Sequence, residues 1–153
     1  MILRDILLFF LIQIAYAAFA HAEAYMEGKE GWKWNSSWWH IPLPGGYTYT
    51  AYHVYMYVFT LFILTIILPL VVNGWEWHLF YVLGFSWCIG SNLADFLWFV
   101  VNPLYPLSKW NPKDTRWYPW ITKGSFHIPR AYVIRFAIAV LLLFPILRDW
   151  TMI

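Results

Sequence analysis

WHLFYVLGFSWCIGSNLADFLWFVV, Trp77 to Val101, decides the fold, because it is long and apolar enough to cross a membrane yet carries a carboxylate, Asp95. A hydrocarbon core about 30 Å thick takes roughly 20 mostly apolar residues in a helix. A carboxylate in such a helix costs roughly 2.5 to 3.5 kcal/mol on insertion scales, so it turns towards protein, a partner or an ion and away from lipid. The segment therefore predicts a transmembrane helix with at least one polar neighbour.

The rest of the chain agrees. Of its 153 residues 61% are hydrophobic and 12% charged, a balance far from that of a water-soluble domain. Three more segments have the length and composition of spans: residues 2–22, 50–72 and 131–150. The expected fold is an all-α integral membrane four-helix bundle forming one domain. Four spans place both termini and the short turn 73–76 on one side, and the connections 23–49 and 102–130 on the other. Those connections mix Trp and Tyr with Pro and Gly, which break helices and suit the headgroup zone. They predict an aromatic-rich cap on one membrane face.

The first segment ends in small residues at Ala18, Ala20 and Ala22, as a signal peptide does; it is read as a retained first transmembrane helix. Such a helix orients its N-terminus inwards and the cap outwards. Lys29, Lys33, Lys109, Lys113, Arg116, Lys123 and Arg130 in the connections pull the other way by the positive-inside tendency. The expectation adopted is an extracytoplasmic cap, which would expose the glycosylation triplet Asn35, Ser36, Ser37.

Several classes of chemistry are excluded or disfavoured. A single cysteine, Cys88, permits neither an internal disulfide nor a thiolate cluster. A net charge of +2 without a basic run gives no nucleic-acid footprint. Dinucleotide, P-loop, zinc-protease and serine-hydrolase signatures do not occur.

Position within the helices then selects candidate residues. Gly84, Cys88, Ser91 and Asp95 recur at steps of four, three and four and share one helix face; small residues there let another helix approach closely. Asp95 lies about 10 Å below the capped end at 1.5 Å per residue, with Asn92 nearby. At similar depth the second span brings Tyr49, His53 and Tyr57, the first ends at His21 and Glu23 with Glu27 one turn beyond, and the fourth brings Arg135. One reading is a structural ion pair of Asp95 with Arg135. The other is a metal site of Asp95, His53 and Glu23, with Glu27 or His127 as alternatives, since bundle sites draw carboxylates and imidazoles from facing helices. Such ligands suit iron, copper, zinc or manganese. His78, beside Trp75 and Trp77 at the other face, reads as part of the aromatic belt.

The run DFLWFVVNPLYPL, Asp95 to Leu107, resembles a motif in a family of small, uncharacterised prokaryotic integral membrane proteins. Asp95, Asn102, Pro103, Pro129 and Tyr132 match its pattern, and His53 matches an upstream histidine. The resemblance implies a multi-pass protein of a prokaryotic cell membrane and no particular activity. Where the family has a second acid and a Trp-His pair, this chain has Ala94 and, after Trp117, Tyr118. The loss of two ligand-type side chains implies a descendant kept for structure or assembly. The functional expectation is thus a non-catalytic accessory subunit, packed against other membrane subunits in a metal-dependent or respiratory oxidoreductase. The alternative is a membrane metalloprotein acting on a lipid or quinone at the capped interface.

Overall fold

A computed structural model describes residues 1–31, 38–43 and 47–152; Lys33 and the triplet Asn35 to Ser37 lie outside the described residues. Four helices are long and apolar enough to cross a membrane: α1 (Ile2–Glu27), α2 (Ala51–Asn73), α3 (Trp77–Val101) and α4 (Arg130–Thr151). Two antiparallel hairpins, β1 (His40–Leu43) with β2 (Tyr47–Thr50) and β3 (Trp120–Lys123) with β4 (Phe126–Pro129), complete the fold. The all-α expectation is corrected to this extent: both connections contain a two-stranded element. In the second, Lys123 pairs with Phe126 across Gly124 and Ser125, and Gly124 at φ 59° supplies the left-handed backbone that a two-residue hairpin turn requires.

α3 is the central helix. Its most apolar stretch is 44% buried, against 11 to 22% for the other three, and it packs along α1 on one flank and α4 on another. The main apolar cluster joins Ile12, Tyr16 and Ala20 of α1, Ile66 and Leu70 of α2, and Leu79, Leu83 and Ala94 of α3. The small-residue face is consumed inside the chain. A Cβ added to Gly84 would stand 3.1 Å from Leu142 of α4, and Cys88 and Ser91 are buried. Among the described glycines the tightest approach is at Gly90, which falls outside that stripe: an added Cβ would lie 2.4 Å from the Tyr16 ring.

α1 runs five residues past its expected end at Ala22, because Ala, Glu, Tyr and Met do not break a helix and the first residue that does is Gly28, at φ 53°. Both Glu23 and Glu27 thereby belong to the helix and are buried. α2 is the least enclosed. Over Val54–Leu61 and Ile63–Ile67 it is wound as a π-helix, and the first of these stretches buries no residue. The wide winding ends just before Pro69, where a backbone donor is missing.

The cap is built on Asn102. Its side chain donates to the Gly28 carbonyl at 2.7 Å and accepts from the Leu104 and Tyr105 amides at 2.9 and 3.2 Å, so it ties the ends of α1 and α3 while turning the chain at Pro103. Over that turn Trp98, Phe99, Tyr105 and Tyr118 form a second buried cluster, with Trp110, Trp117 and Trp120 against it. Thr115 stitches it from within, donating to Lys109 and accepting Trp120 Nε1 on its carbonyl, each at 2.7 Å.

Glycine in a helix is ordinarily less stable than alanine by about 1 kcal/mol. Overpacking reverses that sign at Gly90. Gly90→Ala is expected to destabilise by about 1 to 3 kcal/mol, seen as a lower thermal midpoint when the buried Cys88 thiol becomes reactive to a maleimide in detergent.

Candidate functional site

Beneath the cap, three helices and the second connection enclose a cavity of about 20 Å³, room for a water molecule or a single ion. It is lined by Glu23 and Glu27 from the last turns of α1, His53 and Tyr57 from the first turns of α2, and Asp95, Trp98 and Phe99 from α3; Trp117 and Tyr118 close it from the cap. The expected coincidence of Glu23, His53 and Asp95 at one depth is thus realised as a shared cavity wall, and Glu27 joins them.

Glu23, His53 and Asp95 are already engaged. Both oxygens of Glu23 accept hydrogen bonds from α2, Oε1 from the Tyr52 hydroxyl at 3.0 Å and Oε2 from Tyr57 at 2.9 Å. His53 Nδ1 is 2.6 Å from Thr50 Oγ1, and its ring stacks on Tyr57. Asp95 Oδ2 accepts from Arg135 Nη1 at 2.6 Å, the ion pair expected of these two residues. Asn92 extends it, accepting from the same Nη1 at 3.3 Å and donating to the Tyr132 carbonyl at 3.1 Å. Glu27 lies against the Trp98 indole. Burial, with the Asp95 carboxyl nearby, holds the Tyr118 phenol well above the usual tyrosine range, so it remains a neutral O–H.

Among the described residues no three of His, Cys, Asp and Glu form a set that could hold a metal ion. The physical reason lies in the directions in which the groups are drawn: Glu23 towards two tyrosines, Asp95 towards Arg135, and His53 Nδ1 towards Thr50. His127 does not line the cavity; it is half-buried on β4 with Nδ1 3.3 Å from Thr122 Oγ1. His21 is exposed, its Nδ1 on the Ala17 carbonyl.

A second polar site lies at the opposite end and corrects the reading of His78 as a belt residue. His78 Nε2 is 2.8 Å from Asp5 Oδ2 and Nδ1 is 2.9 Å from Asp149 Oδ2, so one imidazole joins α1, α3 and α4. Trp150 Nε1 also donates to Asp5 Oδ2 at 2.8 Å. The signal was present in the sequence: Asp5, His78 and Asp149 all lie within two turns of helix ends on the terminal side, the same depth argument that gathers Glu23, His53 and Asp95.

In comparisons with family models, curated proteins and solved structures, none matches this chain.

Removing one partner of a buried ion pair leaves the other charged and unpaired, at a cost of about 3 to 5 kcal/mol, whereas replacing both with apolar residues is often neutral. Asp95→Leu alone is therefore expected to lower the thermal midpoint sharply. Adding Arg135→Leu is expected to restore most of it, as a double-mutant cycle in detergent would measure.

Proposed function

We propose that the chain is a multi-pass protein of a prokaryotic cell membrane that acts as a non-catalytic structural subunit of a larger membrane complex of the oxidoreductase type. The observation that carries this reading is the use made of the buried polar groups. Asp95 with Arg135, Glu23 with Tyr52 and Tyr57, Asn102 with Gly28, and His78 with Asp5 and Asp149 each join different helices or helix ends. Polar side chains spent on holding helices in register are those of a scaffold. The cavity at the capped end, at about 20 Å³, has room for a water molecule or an ion and not for an organic ring, so no lipid or quinone is turned over inside it. Purification from native membranes in mild detergent tests the reading. The expected result is resistance to alkaline carbonate extraction together with a fixed set of co-purifying chains; a monodisperse, partner-free monomer would overturn the subunit role.

A second reading, a cation-binding protein, has one specific observation in its favour. Three carboxyl groups, Glu23, Glu27 and Asp95, line the cavity, and of these Asp95 is paired with a guanidinium. In a low-dielectric interior such an excess is neutralised by protons or by a bound cation. Glu27 discriminates, since it is not part of the ion pair. On this reading elemental analysis finds a stoichiometric metal that Glu27→Gln removes while leaving the protein folded; on the scaffold reading it finds none.

The cap is proposed to face the extracytoplasmic side. Ser125→Cys, at the exposed β3–β4 tip, is then labelled on intact cells by a membrane-impermeant maleimide, and Thr151→Cys, near the other membrane face, only after lysis. The native Cys88 is buried and stays silent in both.

A further inference from the structure

Beside that cavity, and sharing Tyr57 with it, runs a separate groove of about 250 Å³. Tyr49, Tyr57, Val58 and Phe62 come from β2 and α2, Trp87 and Ser91 from α3, and Arg135 from α4. Four of the seven carry aromatic rings. Arg135 makes both of its hydrogen bonds through Nη1, to Asp95 and Asn92. Among the described residues Nε and Nη2 make none, and neither is sealed inside the protein. The groove therefore combines an aromatic slot with guanidinium donors that still lack an acceptor.

We propose that this groove holds the ring of an isoprenoid quinone, a ring carbonyl accepting from the Arg135 guanidinium and the tail leaving past Val58 and Phe62 into the bilayer. Charge selects a neutral acceptor over a phosphate. The Arg135 cation is already matched by Asp95 at 2.6 Å, and Glu23 and Glu27 stand close behind, so an anion entering here meets no net positive field. Depth agrees, because Arg135 lies five residues into α4, about 7.5 Å below its start at 1.5 Å per residue. That level is below the headgroups and within the apolar layer where a neutral ring is at home. Size agrees as well, since about 250 Å³ accommodates a single ring head and not a whole lipid. The exit is provided by α2, whose Val54–Leu61 stretch buries no residue and exposes Tyr55, Val58 and Phe59. The proposal is one of binding, and it rests on the membrane-spanning part of the proposed function.

The test uses the full chain in phosphatidylcholine nanodiscs, with an azido-derivative of a short-chain ubiquinone as photoaffinity probe and peptide mapping as readout. Expected is saturable labelling on the Tyr57–Phe62 and Trp87–Ser91 segments, competed by unlabelled ubiquinone or menaquinone analogues. Val58→Trp, which fills the groove from an exposed helix position, should cut labelling at least tenfold with the circular dichroism unchanged. Arg135→Lys keeps a cation for Asp95 but removes the planar pair of spare donors, and should weaken competition at least fivefold. Labelling that does not saturate, that falls elsewhere, or that survives Val58→Trp would overturn the proposal. So would a phospholipid retained in native mass spectrometry that quinone does not displace. Carbonate extraction reports membrane insertion separately, so a failure of that reading is distinguishable from failure of the groove.

Discussion

Everything at the capped end is arranged around the contact of Asp95 with Arg135. A carboxylate two turns inside an apolar helix has to meet a partner, and at 2.6 Å it meets a guanidinium from α4. That pairing brings the first turns of α4 against the last turns of α3, where Asn92 can reach the Tyr132 carbonyl. With α4 held there, Tyr132 is buried within ring contact of Tyr118, so the aromatic cap closes over the same level. Ion pairs of this kind are weak evidence for stability in themselves, since desolvation offsets the attraction; their value here is register.

The terminal end solves the same problem with different groups. His78 stands between two aspartates, each from a different helix, and α3 thus carries a polar tie near both of its ends. Between the ties α3 is small and apolar where neighbours come closest: Gly84 under Leu142 and Gly90 under Tyr16. Van der Waals contact in the middle fixes how near the helices lie, and polar contacts at the ends fix how far one can slide along another. In a lipid surrounding, where burial of apolar surface does not distinguish protein from acyl chain, both kinds of constraint are needed.

How much of this is written legibly in the sequence follows from which forces act over short range. Residues 77–101 reproduce α3 to the residue, because length and hydropathy alone define a span. Asp95, Arg135, Glu23 and His53 could be brought to one level because helical rise is constant. The end of α1 is hidden, since the apolar run stops at Glu23 while the helical backbone continues to Gly28. The hairpins were hidden for another reason: Trp, Tyr and Thr suit both a strand and a membrane interface, so composition could not choose between them. The close contact at Gly90 depends on which α1 side chain lies opposite, which no periodicity reports. The three residues of the metal expectation share a wall, but their hydrogen bonds run to different partners, which helical depth does not report.

The position of α2 ties these observations together. Its second half enters the core through Ile66 and Leu70, while the Val54–Leu61 stretch has no fully buried residue and meets that core through Leu61. Glu23 ties this end further, accepting the hydroxyls of Tyr52 and Tyr57 on its two oxygens, with the Phe19 ring edge-on to Tyr57. Tyr57 lines both the cavity and the groove along Trp87 and Arg135. The carboxylate that accepts its hydroxyl therefore bears on both, and the continuation of α1 past Ala22, which carries Glu23 inside the helix, is the sequence feature on which that tie depends.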